Sequence, residues 1–186
     1  MAFYEKTLES QEIYNGKIIR VRKDKVELID GGTSTREVVE HAGGVGILAL
    51  DSQNRGVMVR QYRYPIESEL LEVPAGKLEI GEDPLECAVR ELSEETGCSA
   101  DQMISLGSFL PSPGYCKETL YVYLALGLHE GSSHLDKDEF LAVERIPFEE
   151  LLDMALSGQI TDAKTVIAIL KASHYLAEGK LPSKED

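Results

Sequence analysis

The helix signal between Asp83 and Gly97 is the feature that most narrows the possible folds of this chain. Asp83 is a good N-cap, Pro84 suits the first helical position, and Gly97 is a common residue where a helix ends. The face that packs on the core is predicted from the apolar residues at helical spacing, which are Leu85, Ala88, Val89 and Leu92. The chain is therefore expected to fold around at least one amphipathic helix.

Three carboxylates lie close together on this helix. Glu91, Glu94 and Glu95 fall within an arc of roughly 100°. Glu91 and Glu95 are a like-charge pair one turn apart, which costs an isolated helix about 0.2–0.5 kcal/mol, and the C-terminal end of a helix disfavours anions. Carboxylate and water oxygens are the ligands that Mg²⁺ and Mn²⁺ prefer. The pattern indicates a surface that holds divalent cations; an ordinary solvated acidic face is the alternative.

The remaining pattern predicts strands around a few helices. A turn at 30–32 between two strand-like runs indicates a β-hairpin. Further strands are predicted at 45–50, 57–59, 104–110, 120–126 and 141–146. One more helix is expected from Pro147 to Leu156, and another from a cap at Asp162 to about Ala177. Because strands and helices do not alternate regularly, this order predicts a mixed α+β sandwich.

The charge of the chain argues against a polyanionic partner. Its 186 residues include 19 Lys or Arg and 33 Asp or Glu, which gives a net charge of −14. An acidic protein repels nucleic acid, so no nucleic-acid partner is expected, and a phosphate-bearing substrate needs a local basic pocket or bound cations. The apolar fraction of 42% is that of a globular protein, and the length fits one domain with at most a small appendage.

Three further features bear on the cellular compartment. The charged start, residues 1–6, differs from a secretory signal. The longest uncharged stretch, 102–116, is shorter than the roughly 20 apolar residues that a bilayer span needs. Cys87, Cys98 and Cys116 are an odd number of cysteines without metal-site spacing, which is typical of reduced thiols. The sequence therefore predicts a cytoplasmic protein with no membrane partner.

Residues between positions 76 and 98 match a known motif. In order, its fixed positions are Gly76, Glu82, Arg90, Glu91, Leu92, Glu94, Glu95 and Gly97, with Cys98 in the final apolar position. This spacing reproduces the Nudix box, and the chain resembles a Nudix hydrolase. The resemblance implies the Nudix fold, a mixed β-sheet sandwiched between helices, with a small N-terminal antiparallel β-sheet. It also implies Mg²⁺ as the cofactor, with Mn²⁺ as a substitute.

Short motifs outside the box resemble the ADP-ribose pyrophosphatase branch of that family. They lie at 60–63, 72–76, 112–114 and 138–140. Pro113, about fifteen residues beyond the box, is the mark of that branch. The resemblance implies hydrolysis of the pyrophosphate bond of ADP-ribose to AMP and ribose 5-phosphate. The alternatives are another nucleoside diphosphate derivative, such as an ADP-sugar, a dinucleoside polyphosphate or a nucleotide cofactor, and a binding domain without turnover.

The same resemblance assigns roles around the metal and the attacking water. The expected metal ligands are the main-chain carbonyl of Ala75 and the carboxylates of Glu91 and Glu95, with Glu94 bridging or assisting. Glu139, in an acidic loop, is the expected catalytic base, since a carboxylate there can accept a proton from metal-bound water when the loop closes. Asp138 and Glu94 are the alternatives for the base, and a solvated loop without a role is the remaining one.

Basic and polar residues are expected at the substrate. Arg63 is the expected phosphate clamp, because a guanidinium matches phosphate geometry. Glu72 is also placed at the substrate, with an ion pair that braces Arg63 as its alternative role. By resemblance, the other residues that contact the substrate are Lys77, Ser112 and Pro113, with Arg36 and Glu37 on the adenine side.

The resemblance also divides the chain into parts. Residues 1–40 are expected to form an N-terminal β-sheet region, residues 41–177 the Nudix hydrolase domain, and residues 178–186 a polar tail. Relatives dimerise through the N-terminal sheet, so a homodimer is expected.

Overall fold

The computed structural model describes residues 3–135 and 140–178. Its strands are β1 (Lys6–Asn15), β2 (Ile19–Glu27), β3 (Thr33–His41), β4 (Gly44–Leu50), β5 (Arg55–Arg63), β6 (Ser68–Glu72), β7 (Ala75–Lys77), β8 (Cys98–Phe109), β9 (Cys116–Lys117), β10 (Leu120–Glu130) and β11 (Leu141–Pro147). Its helices are α1 (Pro84–Thr96), α2 (Phe148–Leu156) and α3 (Ala163–Ala177). None of the helices in these ranges is long and apolar enough to cross a membrane.

The chain divides into two compact units, of which the first combines Met1–Gly43 with Leu110–Thr119. It contains a four-stranded sheet in the order β1-β2-β3-β9. The predicted hairpin at 30–32 is confirmed by the antiparallel pairing of β2 with β3. The strands β1, β2 and β3 pair antiparallel, as expected for the small N-terminal sheet, and the short strand β9 joins this sheet by pairing with β3 in parallel. That strand comes from a distant part of the chain, so no local pattern predicts its place.

The second unit, Gly44–Phe109 with Leu120–Asp186, contains a seven-stranded mixed sheet. Five strands follow the order β11-β5-β4-β10-β8, while β6 pairs with β5 and β7 with β4. The pair β4–β10 is parallel, and the other pairs are antiparallel. Every residue of β4 is buried. A strand buried on both faces reads as a continuous apolar run, which is why the sequence at 45–50 predicted it.

Helices cover both faces of this sheet. On one face, Leu48 and Met58 belong to a core cluster with Leu151 of α2 and Ile169 of α3. On the other face, a second cluster joins strand residues to α1 through Ile47, Val57, Cys87, Ala88 and Leu92. The predicted mixed sheet between helices is confirmed, as are the helices predicted to begin near Pro147 and Asp162.

Helix α1 begins and ends where the sequence predicts. The Asp83 side chain accepts hydrogen bonds from the N–H groups of Leu85 and Glu86, and Gly97 ends the helix at a φ of 72°. The predicted core face is wrong at two positions, since Leu85 is 42% and Val89 is 49% exposed. The residues that α1 buries are Cys87, Ala88, Glu91, Leu92 and Glu95. The helix therefore turns two carboxylates inward in place of two aliphatic side chains.

Candidate active site

Glu91 is buried against strand β7 because position 76 is glycine. A Cβ atom on Gly76 would lie 1.8 Å from the carboxyl carbon of Glu91, a distance that no side chain tolerates. Glu91 is 9% exposed at this point. The glycine of the box thus leaves room for a carboxylate directly beside the backbone of β7.

Glu95 is tied to the same stretch of backbone. Its Oε2 accepts a hydrogen bond of 2.9 Å from the N–H of Ala75, and the residue is only 3% exposed. The carbonyl of Pro74 accepts from the N–H of Ile47 at 2.9 Å, which fixes this loop to strand β4. Two of the predicted metal-ligating carboxylates therefore lie against residues 75 and 76.

Arg90 joins three carboxylates, and we call Glu82, Arg90, Glu91 and Glu94 the Arg90 cluster. Its guanidinium donates to Glu82 at 2.9 Å, to Glu91 at 2.7 Å and to Glu94 at 3.0 Å. The pKa of Glu82 is lowered to about 2, first by the hydrogen bond from Arg90, and the pKa of Arg90 is raised, first by the hydrogen bond to Glu82. One cation thus orients three anions, which leaves the cluster negative.

The metal set predicted from the sequence is brought together only in part. Within residues 3–135 and 140–178, no group of three or more His, Cys, Asp or Glu side chains lies close enough to hold a metal ion. Glu94 contacts Arg90 and has 43% of its side chain exposed, while Glu91 and Glu95 line β7. The donors near β7 are hard oxygens in a space that a Cβ at position 76 would fill, and such donors fit a divalent cation.

A second cluster forms around Glu72, and we call Arg63, Glu72, Asp162 and Lys164 the Glu72 cluster. Arg63 donates to both carboxylate oxygens of Glu72, from Nε at 2.6 Å and from Nη2 at 2.7 Å. Glu72 is 1% exposed, whereas the Arg63 side chain is 39% exposed. Burial raises the pKa of Glu72, but Arg63 and Lys164 outweigh it and lower that pKa. The ion pair that the sequence offered as an alternative for Glu72 is present.

Lys164 is a residue for which the sequence predicted no role. Its Nζ contacts the carboxylate of Glu72 and lies 3.0 Å from Oδ1 of Asp162, and its side chain is 11% exposed. The sequence signal at the start of α3 was the cap at Asp162, and residues 162–165 also resemble the C-terminal helix of the ADP-ribose pyrophosphatase branch, without a role for Lys164. Because 92 residues separate Lys164 from Glu72, only the fold brings them together.

The Glu72 cluster and the carboxylates of α1 meet at one short segment. Glu72 holds Arg63, and three residues later the N–H of Ala75 holds Glu95. The negative charge of Glu95 also contributes to the raised pKa of Arg63, after the larger effect of Glu72. Segment 72–76 therefore carries both a partly exposed guanidinium and the carboxylate side of α1.

Gln61 is a second residue whose place the sequence did not predict. Its amide Oε1 is buried, and in the described part of the chain it has no hydrogen-bond partner. Gln61 lies two residues before Arg63 on β5, so both side chains project to the same face of the strand. The buried Oε1 of Gln61 therefore lies on the strand face that carries Arg63, where it can accept from a ligand or a water molecule.

Other predicted site residues are found in different surroundings. Lys77 is exposed, and its carbonyl accepts from Arg90 at 3.4 Å. Arg36 is paired with Glu5, at 2.9 Å from Nε to Oε2, and Glu37 is exposed on the same strand. Arg36 and Glu37 lie in the first compact unit.

The remaining predicted residues fall in two loops. Ser112 and Pro113 belong to the first unit, where the carbonyl of Ser112 accepts from the N–H of Cys116 at 2.9 Å and closes a turn. The candidates for the base, Glu139 and Asp138, lie outside the described residues.

Family models match nearly all of the chain that forms these elements. The model described as NUDIX domain matches residues 40–168, and the model described as Nucleoside diphosphate sugar hydrolase N-terminal domain matches residues 5–39. The chain belongs to the Nudix family of hydrolases, and its box lies on β7, α1 and the loop between them.

Three proteins of known name are similar to this chain. It is 45% identical to the methanol dehydrogenase activator of Bacillus methanolicus, with 90% of this chain and 91% of the relative covered. It is 42% identical to the ADP-ribose pyrophosphatase of Bacillus subtilis (strain 168), with coverages of 89% and 90%. A crystal structure of an ADP compounds hydrolase shares the fold at a TM-score of 0.84 and 23% identity, covering 95% and 96%. The predicted family and fold are confirmed.

Proposed function

We propose that this chain hydrolyses the pyrophosphate bond of ADP-ribose, with Mg²⁺ as cofactor and Mn²⁺ as a substitute, and releases AMP and ribose 5-phosphate. The observation that carries the proposal is that the Glu72 cluster and the carboxylates of α1 meet at segment 72–76. Glu72 presents Arg63, and Ala75 anchors Glu95. A diphosphate bound at this segment contacts a guanidinium and a cation site together, which meets the need of an acidic protein for local positive charge.

The acidic side of the site holds the cation. Glu91, Glu95 and the carbonyl of Ala75 are the proposed ligands, with Glu94 assisting. A bound divalent cation neutralises diphosphate charge and makes its water more acidic. Arg90 keeps Glu91 and Glu94 oriented, since it donates to both. The chain contributes the position and charge of these carboxylates, and Gly76 contributes the space.

Arg63 binds the diphosphate on the other side. Glu72 accepts from Nε and Nη2, which within the described residues leaves Nη1 for a phosphate oxygen. The partly exposed side chain of Arg63 supports this role. Lys77, Ser112 and Pro113 are proposed to border the same substrate, and Arg36 and Glu37 its adenine side.

Glu139 is the proposed catalytic base. It accepts a proton from the attacking water, while Asp138 and Glu94 are the alternatives. The choice of ADP-ribose over another nucleoside diphosphate derivative is supported by Pro113 and by the relative that is 42% identical. An ADP-sugar, a dinucleoside polyphosphate or a nucleotide cofactor is the alternative substrate class. A binding domain without turnover is less well supported, because Glu91, Glu94 and Glu95 are all present.

A second candidate function rests on the relative named methanol dehydrogenase activator, which is 45% identical over 90% of this chain. In that case the chain acts on a dehydrogenase. Adding purified wild-type chain and the Glu95→Gln variant to purified methanol dehydrogenase distinguishes the two. Activation by the wild type supports this second function, and unchanged dehydrogenase turnover contradicts it.

A homodimer and a cytoplasmic location complete the proposal. Residues 1–40 are proposed as the dimerisation region of a Nudix domain at 41–177, with a polar tail at 178–186. Every residue of β1 is exposed, including Leu8, Ile13 and Tyr14. An exposed strand at the edge of a sheet is ready to pair with another chain. Three free cysteines support a reducing compartment.

Product analysis tests the proposed function. Purified chain with Mg²⁺ is incubated with ADP-ribose, ADP-glucose, GDP-mannose, NADH and a diadenosine polyphosphate, and kcat/KM is compared. ADP-ribose is expected to exceed the others by about tenfold or more and to yield AMP. Glu95→Gln serves as the contamination control, and Glu86→Gln, an exposed carboxylate of the same helix, as the matched variant. Preference for another substrate, or no turnover, overturns the proposal.

A further inference from the structure

The first turn of α3 contacts the substrate-binding segment through two separate side chains. Lys164 contacts the carboxylate of Glu72 and lies 3.0 Å from Asp162. Thr165, fully buried, accepts a hydrogen bond of 2.9 Å from the N–H of Val73. The Thr165 hydroxyl in turn donates to Oδ2 of Asp162 at 2.6 Å. The start of the helix thus binds both Glu72 and the next residue along the chain.

The charges in this arrangement are balanced. Arg63 and Lys164 supply two positive charges, and Glu72 and Asp162 supply two negative charges. Without Lys164, the Glu72 cluster would carry a net negative charge and would weaken the attraction of Arg63 for an anionic ligand. A carboxylate that is 1% exposed would also lose one of its two cationic partners, which is costly for a buried charge.

Lys164 and Arg63 share one carboxylate oxygen but differ in exposure. The Nζ of Lys164 contacts Oε2 of Glu72, the oxygen that also accepts from Nη2 of Arg63. Lys164 has only 11% of its side chain exposed, against 39% for Arg63, and its ammonium also lies 3.0 Å from Asp162. Arg63 is therefore the more accessible of the two cations.

We propose that Lys164 is a positioning residue that fixes the Glu72 carboxylate and thereby holds Arg63 in the orientation that binds the diphosphate of the substrate. This inference rests on the proposed function. Lys164 acts through Arg63 and does not contact the substrate. Its effect falls on substrate affinity, because chemistry at phosphorus depends on the acidic side of the site.

Steady-state kinetics with ADP-ribose and Mg²⁺ test this role in the full chain. Lys164→Met is expected to raise KM about tenfold and to change kcat by less than about threefold. Lys164→Arg restores a cation and is expected to keep KM within about threefold of the wild type. Lys171→Met is the matched control, since Lys171 is an exposed lysine on the same helix, and no change is expected.

A double-mutant cycle separates positioning from direct contact. If Lys164 acts through Arg63, then Arg63→Met with Lys164→Met has the same KM as Arg63→Met alone. Multiplied increases in KM would mean that Lys164 contacts the substrate itself, which overturns the inference. An unchanged KM in Lys164→Met overturns it as well.

Folding and the proposed function are checked separately. Thermal unfolding of each variant identifies loss of structure. If Lys164→Met is unfolded, Lys164→Gln, which removes the charge and keeps a donor toward Glu72, replaces it with a smaller expected rise in KM of about fivefold. A wild-type chain without ADP-ribose turnover refutes the proposed function. A wild type that turns over, with an unchanged KM in the folded Lys164 variant, refutes only the role of Lys164.

Discussion

The Arg90 cluster and the Glu72 cluster both pair cations with carboxylates but differ in charge balance, since the first has an excess of carboxylates and the second is balanced. Around Arg90, one guanidinium is shared by three carboxylates, Glu82, Glu91 and Glu94. Around Glu72, one buried carboxylate is shared by two cations, Arg63 and Lys164. The first arrangement leaves negative charge for a cation, and the second leaves a guanidinium edge for an anion. This difference supports the proposal that one site binds both a cation and the diphosphate of a substrate.

The clusters also differ in how they are assembled. The contacts of Arg90 span 1, 4 and 8 residues, so the helix and its preceding loop suffice to form them. The contacts of Glu72 span 9 and 92 residues and need the finished sheet and α3. The Arg90 cluster can therefore be predicted from residue spacing, whereas the Glu72 cluster depends on tertiary structure.

The largest expected effect is a loss of kcat on substitution of Glu95, one of the carboxylates of α1. Glu95→Gln should lower kcat for ADP-ribose by about 10³-fold, or about 4 kcal/mol, because it removes a charge that faces the cation. Gln can still accept from the N–H of Ala75, so the fold is expected to persist. Steady-state rates and circular dichroism check both points, with Glu86→Gln as the matched variant. A near-normal kcat would contradict the proposal that Glu95 binds the metal.

The next effect concerns proton transfer. Glu139→Gln should lower kcat by about 10²-fold or more and leave KM nearly unchanged, since a general base acts in the chemical step. Asp138→Asn is the neighbouring control and should stay within a few-fold of the wild type. If the two variants exchange these outcomes, Asp138 is the base; if neither changes kcat, Glu94→Gln is the next variant to measure.

A smaller effect is expected on the cationic side. Arg63→Lys keeps the charge but cannot donate to both oxygens of Glu72 and to a phosphate in one plane, so KM should rise about tenfold, or about 1.4 kcal/mol. The value of kcat should change little. Initial rates over a range of ADP-ribose concentrations give both numbers. Arg55→Lys, at the far end of β5, is the matched variant and should resemble the wild type.

The smallest effect is on stability as a function of pH. The pKa of Glu82 is about 2, below its ordinary 4.5, chiefly because Arg90 donates to it. The stabilisation is therefore complete above pH 4.5 and is lost as the pH falls toward 2. In metal-free buffer, the Tm difference between wild type and Arg90→Gln should shrink over this range. A difference that stays constant would contradict the pairing, and Lys171→Gln is the control.

The sequence predicted those parts of the fold that local signals determine. Asp83, Gly97 and Asp162 act as the caps that their residue types indicate. Helical spacing placed Leu85 and Val89 in the core, but both are exposed. The periodicity of a helix shows that one face is apolar. It cannot show that Glu91 and Glu95 become buried against the sheet.

The candidate site was predictable to the same extent. The choice of Glu91, Glu94 and Glu95 followed from the box, whereas the space that Gly76 leaves for Glu91 did not. The place of Lys164 depends on a contact across 92 residues, and the burial of Gln61 Oε1, which has no hydrogen-bond partner among residues 3–135 and 140–178, depends on the packing around β5. No local pattern encodes such contacts, because they arise only when distant elements pack together.

The carboxylates of α1 and the Glu72 cluster are proposed to perform separable tasks on one substrate. This separation is tested by kcat and KM for ADP-ribose, measured side by side in Glu95→Gln and Arg63→Lys. The account predicts a loss of about 10³-fold in kcat for the first and a rise of about tenfold in KM for the second. Loss of the same parameter in both variants, or a wild-type chain that does not turn over ADP-ribose, would contradict it.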